Sequence, residues 1–231
     1  MHARAFAERL STGPATADVA VVSLLRQLGA RRVVDVGCGP AALLIELARG
    51  DASFHGWGIE ANADMLAAAR ATARQQGVSA RVTLVDGDAL DVRTSMRDER
   101  LRQVRVIVAS QFINEMFGAG TDAAVTWLRD LGQLLPERLL VVADYYGRLG
   151  SSLAAQEALT LVHDHAQLTS GQGIPPARRS GWIALYTAAG ARMIHAVEDI
   201  WTTRFIHVVM LPRSVEKASQ GSSRATKADE D

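Results

Sequence analysis

The feature that most constrains the fold is a glycine-rich turn, Gly37-Cys38-Gly39-Pro40, directly after the apolar run Arg32–Val36. The run predicts a short buried strand, and the segment after the turn, at about 41–49, predicts a helix. A strand, a glycine turn and a helix in this order open a parallel sheet at its carboxyl edge, where such sheets bind ligands. Glycine lacks Cβ, so Gly37 and Gly39 allow positive φ angles and a close approach of backbone to a ligand.

The rest of the sequence alternates β-branched apolar runs with helical stretches. Strands are predicted at 57–60, 81–85, 104–110, 139–143, 191–197 and 204–211, and helices at 17–28, 63–76, 121–135, 151–170 and up to about 189. Asn62 and Thr121 are the predicted helix N-caps, and Gly77 is the predicted stop. The alternation of strands and helices predicts an α/β fold, with a doubly wound, mostly parallel sheet covered on both faces. The connection 198–203 is too short for a parallel crossover, so the final pair is expected to be antiparallel.

Composition sets the class of protein. A length of 231 residues suits one domain, predicted over 1–212, followed by a polar, disordered tail over 213–231. Lys plus Arg and Asp plus Glu are equal at 25 each, which argues against a nucleic-acid or membrane-surface partner. The N-terminus has no signal-peptide core, and the single cysteine excludes an intrachain disulfide. We expect a soluble cytoplasmic protein and leave its oligomeric state open.

Acidic side chains follow three successive predicted strands. Asp35 lies in the first strand, Glu60 ends the second and Asp88 follows the third. Glu60 comes 21 positions after Gly39, the separation at which a carboxylate accepts both hydroxyls of a ribose. Asp88 can accept a hydrogen bond from an adenine amine, with the amide of Ala89 or of the next residue facing a ring nitrogen. The same turn also fits the dinucleotide fingerprint, and a tight turn in an unliganded α/β fold is the structural alternative.

Three motifs resemble those of class I S-adenosylmethionine-dependent methyltransferases: Val-Asp-Val-Gly-Cys-Gly-Pro at 34–40, Gly-Ile-Glu-Ala-Asn at 58–62 and Asp-Gly-Asp-Ala-Leu at 86–90. The resemblance covers about residues 17–211 and implies a seven-stranded, Rossmann-like sheet with S-adenosylmethionine as cofactor. Ala41 stands where the family often has a third glycine, which adds only a methyl at the helix start. The cofactor-binding residues that the resemblance implies, from the methionine portion to the ribose, adenine and sulfonium, are Asp35, Gly37, Cys38, Gly39, Glu60, Ala61, Asp88, Ala89, Ser110 and Gln111.

The methyl acceptor is not identified by the fold. The pattern from His163-Asp164 to Gly171-Gln172-Gly173, with His207 in the last strand, is similar to a subgroup that methylates the β-carbon of small 2-oxo acids in natural-product pathways. Some of these enzymes hold a non-haem metal with two histidines. The resemblance therefore implies a 2-oxo acid substrate and a divalent ion, iron or zinc, on His163 and His207 with Asp164 as a third ligand. Such an ion stabilises an enolate as a Lewis acid.

Several roles stay open at this stage. Tyr145 is a candidate proton shuttle or a packed aromatic, and Gln172 and Arg148 are candidates for positioning substrate. Asn114 and Glu115 fit either a pocket or a helix cap. The alternative functions are a metal-independent O- or N-methyltransferase of a small metabolite, a nicotinamide oxidoreductase, or a binding module without turnover. The alternative for the histidines is a surface pair plus one hydrogen-bonded core residue.

Overall fold

The computed structural model describes residues 16–147, 158–198 and 203–213. The strands within these residues are β1 (Arg32–Val36), β2 (His55–Glu60), β3 (Val82–Asp86), β4 (Val106–Ser110), β5 (Leu139–Tyr145), β6 (Arg192–Glu198) and β7 (Arg204–Met210). These seven strands form one sheet in the order β3-β2-β1-β4-β5-β7-β6. β7 is antiparallel to β5 and β6, and the other neighbours are parallel. The predicted doubly wound sheet with an antiparallel last strand is confirmed.

Helices alternate with these strands. They are α1 (Thr16–Gln27), α2 (Ala42–Gly50), α3 (Ala63–Gln75), α4 (Val92–Ser95), α5 (Thr121–Leu134), α6 (Ala158–Thr169) and α7 (Arg179–Ala188), with 3-10 helices at Glu99–Gln103 and Ile113–Ala119. Asn62 caps α3 as predicted, because its Oδ1 accepts from the N–H groups of Asp64 at 3.0 Å and Met65 at 3.1 Å. Gly77 follows this helix with a φ of 66° and ends it.

The sheet is buried on both faces by two hydrophobic clusters. Val33 and Val108 belong to the cluster under α1, α2 and α3, whereas Val34 and Ile107 belong to the cluster under α5 and α7. Neighbouring residues of a strand point to opposite faces, so continuous Val and Ile runs can fill both clusters at once. The central strands are therefore rigid supports for the loops at their ends.

Some predicted boundaries need correction. The N-cap of α5 is Gly120, with a φ of 91°, and Thr121 is the first helical residue with no side-chain cap. β5 continues to Tyr145 instead of ending at 143. The 3-10 helix Ile113–Ala119 had no predicted counterpart, because its apolar residues lack a clear helical period. Residues 151–157 of the helix predicted at 151–170, and all of the predicted tail beyond Arg213, lie outside the described residues.

The carboxyl ends of β1, β2, β3, β4 and β5 lie at one edge of the sheet, because these strands are parallel. The turns that follow Val36, Glu60, Asp86, Ser110 and Tyr145 meet along this edge. Crevices at such an edge are where open α/β sheets bind ligands. Among the described helices, none is long and apolar enough to cross a membrane.

Candidate functional site

The glycine turn after β1 is held against the end of β2 by Glu60. The Cys38 N–H donates to the Ile59 carbonyl at 3.0 Å, and the Gly39 N–H donates to Glu60 Oε2 at 2.9 Å. The other carboxylate oxygen, Oε1, accepts from the Asn62 N–H at 2.8 Å. A carboxylate oxygen has two lone pairs, so each retains one for a further donor such as a ribose hydroxyl.

The two glycines of the turn make room for different neighbours. Gly37 has a φ of 67°, and a Cβ there would lie 2.5 Å from Cδ2 of the Phe112 ring. Gly39 has a φ of 51°, and a Cβ there would meet nothing within 4 Å. Gly37 therefore accommodates an aromatic ring of the protein itself, while Gly39 faces the open side where a ligand can approach. The contacts of both residues with a cofactor stay predictions.

Ala41 adopts the left-handed conformation, with φ 56° and ψ 30°, at the start of α2. A residue with a Cβ pays about 1–2 kcal/mol for this conformation. The Ala41 side chain is fully buried, and burial of its methyl returns about 0.8 kcal/mol. Ala41 thus keeps some backbone strain, which the sequence pattern did not indicate.

The segment after β3 is ordered by its own hydrogen bonds. Asp88 Oδ1 accepts from the Leu90 N–H at 2.8 Å, and the Asp88 carbonyl accepts from Ser95 Oγ at 2.6 Å. Trp127 Nε1 donates to the Ala89 carbonyl at 2.8 Å, which ties this loop to α5. The Leu90 amide is thus already paired with the Asp88 carboxylate. The adenine contacts predicted for Asp88 and Ala89 stay predictions.

Acidic groups surround the single cysteine of the chain. Burial, followed by the nearby Asp35 and Glu60 carboxylates, raises the pKa of the Cys38 thiol well above its usual range. The thiol is therefore protonated at neutral pH and unsuited to act as a nucleophile. Asp35 is buried in β1, and Ala61 is exposed directly after Glu60. The edge beside the turn carries negative charge and no reactive thiolate.

Ser110 and Gln111 lie where β4 ends. Ser110 pairs with Ala143 of β5. The Gln111 N–H donates to the carbonyl of the same Ala143 at 2.7 Å, and Gln111 has a φ of 51°. A non-glycine residue at positive φ is strained, and such residues cluster at functional sites. The side chain of Gln111 is exposed at the sheet edge.

A buried carboxylate, Asp144, connects the ends of β4 and β5. Its Oδ2 accepts from the Asn114 N–H at 3.1 Å and its Oδ1 from the Tyr145 N–H at 2.9 Å. Burial raises the pKa of Asp144 to about 7, against the opposing effect of these two N–H groups. Glu115 raises this pKa further and Arg204 lowers it. Asp144 therefore exchanges a proton close to neutral pH.

Asn114 and Glu115 belong to the 3-10 helix Ile113–Ala119. Phe112 precedes this helix without a side-chain cap, so neither residue is the helix cap that the sequence left open. Within the described part of the chain, the buried Oδ1 of Asn114 has no hydrogen-bond partner, a situation that costs about 1–3 kcal/mol. Burial and then the Glu60 carboxylate raise the pKa of Glu115 above its usual value. Glu60 and Glu115 are therefore close enough to repel each other.

The segment that carries Gln172 packs against the ends of β4 and β5. A Cβ at Gly118 would overlap the Gly171 carbonyl oxygen, and a Cβ at Gly173 would overlap the Phe117 backbone. A Cβ at Gly147 would overlap the Ile174 side chain, with the Pro175 carbonyl oxygen 2.5 Å away. Glycine at these three positions permits backbone-to-backbone contact. Gln172 is thereby placed beside the acceptor edge, and its predicted role in positioning substrate stays a prediction.

Tyr145 is directed at α6. Burial, and then the negative charge of the nearby Asp164 carboxylate, raise the pKa of the Tyr145 hydroxyl, while Gln167 lowers it. The hydroxyl is therefore a hydrogen-bond donor at neutral pH, and the predicted proton shuttle stays a prediction. Arg148, the third predicted catalytic residue, lies outside the described residues.

His207 lies between two tyrosine hydroxyls in the core. Nε2 is 3.1 Å from the Tyr146 hydroxyl oxygen and Nδ1 is 3.1 Å from that of Tyr186. Burial lowers the pKa of His207 to about 4, so the ring is neutral at pH 7. Tyr146 donates to Glu198, which also accepts from Arg179 at 2.7 and 2.5 Å. Tyr146 therefore accepts the His207 Nε2–H, and Nδ1 accepts from Tyr186.

The described residues do not fit the predicted metal centre. Both ring nitrogens of His207 face tyrosine hydroxyls, and His207 contacts Tyr146 whereas Asp164 contacts Tyr145. The side chain of His163 lies outside the described residues. Within residues 16–147, 158–198 and 203–213, no group of three His, Cys, Asp or Glu side chains is arranged to hold a metal ion.

The strand order β3-β2-β1-β4-β5-β7-β6 is that of a Rossmann-like methyltransferase fold. The glycine turn after β1 and the acidic residues at the carboxyl edge of the sheet agree with it. Residues 33–132 match the model of a protein family described as a methyltransferase domain. This range runs from β1 to α5 and includes Gly39, Glu60, Asp88 and Asn114. No curated protein matches the sequence significantly.

Solved structures support the same fold. The mitomycin 7-O-methyltransferase MmcR superposes with a TM-score of 0.68 at 20% identity, over 85% of this chain and 53% of its own. PigF with SAH superposes with a TM-score of 0.70 at 17% identity, over 90% of this chain and 58% of PigF. The methyltransferase CalO6 superposes with a TM-score of 0.64 at 20% identity, over 80% of this chain and 60% of CalO6. The chain therefore spans less than two thirds of the length of these proteins. The family match covers residues 33–132, and these solved structures show that the chain has the same fold as known methyltransferases.

Three features of this region were not predicted from the sequence. Asp144 was not assigned a role, although a charged residue at the end of the apolar run Leu139–Ala143 was a usable signal. The bonds of His207 with Tyr146 and Tyr186 left no signal, because the three residues are far apart in sequence. Burial of the Asn114 amide was equally invisible before the fold was known.

Proposed function

We propose that the chain transfers a methyl group from S-adenosylmethionine to a hydroxyl group of a small molecule, without a metal ion. The observation that carries this proposal is the Glu60 carboxylate, which accepts from the Gly39 N–H at 2.9 Å at the edge of the sheet. Glu60 retains acceptor capacity for the two ribose hydroxyls, and Gly39 leaves open space beside it. The family match over residues 33–132 supports the same cofactor.

Electrostatics favours a cationic cofactor at this edge. Asp35 and Glu60 both act on Cys38, and Glu60 acts on Glu115, so several carboxylates share a small region. A sulfonium cation relieves this repulsion, whereas the pyrophosphate of a dinucleotide increases it. This charge distribution supports S-adenosylmethionine over a nicotinamide cofactor.

The acceptor side supplies several oxygen atoms that can accept hydrogen bonds. Asp144 and Glu115 are carboxylates, and the buried Asn114 Oδ1 is an acceptor without a partner in the described part of the chain. These groups attract O–H or N–H donors and repel a carboxylate. MmcR, a 7-O-methyltransferase, shares the fold and supports an oxygen acceptor.

Methylation of the β-carbon of a 2-oxo acid is the competing hypothesis. It requires a group that binds the carboxylate and stabilises an enolate. His207 is occupied by two tyrosines, and the described residues do not fit a metal site, so they provide less for this reaction than for hydroxyl methylation. The two hypotheses share the cofactor and differ in the acceptor.

In the proposed reaction the acceptor oxygen attacks the methyl carbon in line with the sulfur. A sulfonium is a good leaving group, so the protein contributes mainly alignment, which is worth several kcal/mol (about 7–11 in favourable cases). The turn and Glu60 orient the cofactor, and the ends of β4 and β5 orient the acceptor. The hydroxyl must also lose a proton.

Two measurements test the proposal. Calorimetry compares S-adenosylhomocysteine with NAD, and we expect binding of the former only; tight NAD binding would refute methyl transfer. Transfer of labelled methyl from S-adenosylmethionine is then measured with catechol and with phenylpyruvate, before and after treatment with a chelator. We expect methylation of catechol that survives chelation. Methylation of phenylpyruvate alone, abolished by chelation, would establish the 2-oxo acid hypothesis instead.

A further inference from the structure

We propose that Asp144 is the base that removes the proton of the acceptor hydroxyl, and that Asn114 Oδ1 accepts a hydrogen bond from a second donor group on the same substrate. This inference rests on the proposed function, because it assigns the acceptor half of that site. It defines the substrate class as hydroxylated rings with an O–H or N–H group next to the reacting hydroxyl.

The first argument is position. Asp144 is the second-last residue of β5, and Asn114 lies four residues after the end of β4; these adjacent parallel strands are joined by the Ser110–Ala143 pair. The Asn114 N–H reaches Asp144 Oδ2 at 3.1 Å, so the two residues form one unit. Ser110 and Gln111, predicted to lie beside the sulfonium, are the immediate neighbours of this unit. A base in this unit therefore lies beside the predicted position of the sulfonium methyl.

The second argument is the buried amide oxygen. Asn114 is 3% exposed, and within the described residues its Oδ1 has no hydrogen-bond partner. Buried polar atoms in native proteins are nearly always paired, so an unpaired one requires an explanation. A substrate donor that completes the bond supplies one. An atom with two free lone pairs and no donor selects for O–H or N–H and against a carbonyl or carboxylate.

The third argument concerns the groups around Asp144. Both of its oxygens accept main-chain N–H groups, and each retains a lone pair for a proton. Tyr186 and Tyr145 are neutral neighbours, Glu115 is negative and Arg204 is positive. Its pKa of about 7 suits a general base at physiological pH.

The proton and electron balance is complete without another reactant. The O–H bond of the acceptor breaks and its proton passes to Asp144. An oxygen lone pair forms the new bond to the methyl carbon, while the carbon–sulfur bond breaks and its electron pair stays on sulfur. The products are a methyl ether, S-adenosylhomocysteine and a neutral Asp144, which then returns its proton to water.

The role of Asp144 is tested by comparing two acceptors that differ in the acidity of their hydroxyl group. Methyl transfer to phenol and to 4-nitrophenol is measured in mildly alkaline buffer, where 4-nitrophenol is largely ionised and needs no base. We expect Asp144→Asn to lose about 100-fold or more with phenol and far less with 4-nitrophenol. The matched control, Asp122→Asn, alters an exposed carboxylate in the first turn of α5 and should lose neither activity. Equal losses on both phenols would assign Asp144 a structural role and overturn the inference.

Substrate preference tests the role of Asn114. The wild-type protein should prefer catechol, which carries the second donor, over phenol. Asn114→Leu should reduce that preference by about 10-fold, the value of one hydrogen bond, with little change for phenol. An unchanged preference would overturn the role of Asn114. If the protein binds S-adenosylhomocysteine but methylates no phenol, the inference fails while the cofactor assignment stands. If it does not bind S-adenosylhomocysteine, the proposed function fails.

Discussion

The main-chain N–H of Gly39 and the Glu60 carboxylate are joined by a hydrogen bond of 2.9 Å across the ends of β1 and β2. Glu60 also accepts from the Asn62 N–H, so one side chain links the glycine turn to the start of α3. The carboxylate therefore positions the turn before any cofactor arrives. Its removal should affect both the turn and cofactor affinity.

Glu60→Gln should weaken the binding of S-adenosylhomocysteine by about 10- to 100-fold, because hydrogen bonds to a charged acceptor contribute about 1.5–3 kcal/mol. Calorimetry gives the dissociation constants. Glu99→Gln is the matched control, since Glu99 is 83% exposed and pairs only loosely with Arg102 at 3.6 Å. Equal affinity of Glu60→Gln and wild type would contradict the ribose contact.

Gly118→Ala should impair use of the acceptor while leaving cofactor affinity unchanged. A Cβ there would overlap the Gly171 carbonyl oxygen, so the Gln172 segment must move away from the end of β4. We expect a KM for the acceptor raised by about 10-fold, and overpacking that lowers the free energy of unfolding by about 1–3 kcal/mol.

The control for this variant is Gly50→Ala, whose Cβ would meet only the flexible end of Arg26. Steady-state kinetics with catechol and calorimetry with S-adenosylhomocysteine separate the two effects. A loss of cofactor affinity equal to the change in KM would show that the segment does not act on the acceptor alone.

Glu137→Gly should stabilise the protein by about 1 kcal/mol, because Glu137 has a φ of 56° and glycine removes the left-handed strain. The side chain forms only an exposed ion pair with Arg213, which contributes little. Urea unfolding measures the change. Glu137→Ala loses the same ion pair but keeps the strain, so it should be neutral; equal gains in both variants would argue against backbone strain.

His207 and Asp144 should give the folding stability opposing pH dependences. The pKa of His207 is lowered to about 4, so between pH 4 and 6.5 the unfolded chain binds more protons and stability falls on acidification. The pKa of Asp144 is raised from 3.8 to about 7, so over that window the folded chain binds more protons and stability falls as pH rises. Over this window each effect amounts to about 3.5 kcal/mol at 1.4 kcal/mol per pKa unit.

In the Asp144→Asn variant, only the effect of His207 on the pH dependence of folding stability should remain. We expect the free energy of unfolding of this variant to rise steadily from pH 4.5 to 6.5, while the wild-type value changes little. The pKa of Glu198 is lowered from 4.5 to about 2, so most of its effect on stability falls below this window. Urea titrations at three pH values provide the measurement. A variant as flat as the wild type would contradict a neutral, buried His207.

Local sequence patterns were sufficient for the fold and for the meeting of the glycine turn with Glu60. Val33 to Val36, Gly39 and Glu60 act through strand, turn and spacing, which are set by residues close together in the chain. The end of β5 was predicted two residues early, because Asp144 and Tyr145 are polar yet remain in the ladder opposite β7. The cap of α5 was misplaced because Gly120 at positive φ replaced a side-chain cap.

The region of the predicted metal centre could not be deduced from local sequence patterns. The histidine pattern predicted a metal centre, but His207 binds two tyrosines whose positions depend on β5 and α7 coming together. Whether a histidine is free or paired depends on neighbours that are 21 and 61 positions away. No pattern along the chain contains that information.

By itself, the sequence determined the alternation of strands and helices, the glycine turn and the acid that faces it, because these depend on periodicity and on short spacings. Only the tertiary structure decided that Asp144 is buried with a raised pKa, that Asn114 Oδ1 lacks a partner among the described residues, and that His207 is neutral. Burial and hydrogen bonding arise when distant segments pack together, and they set which polar groups are available for chemistry.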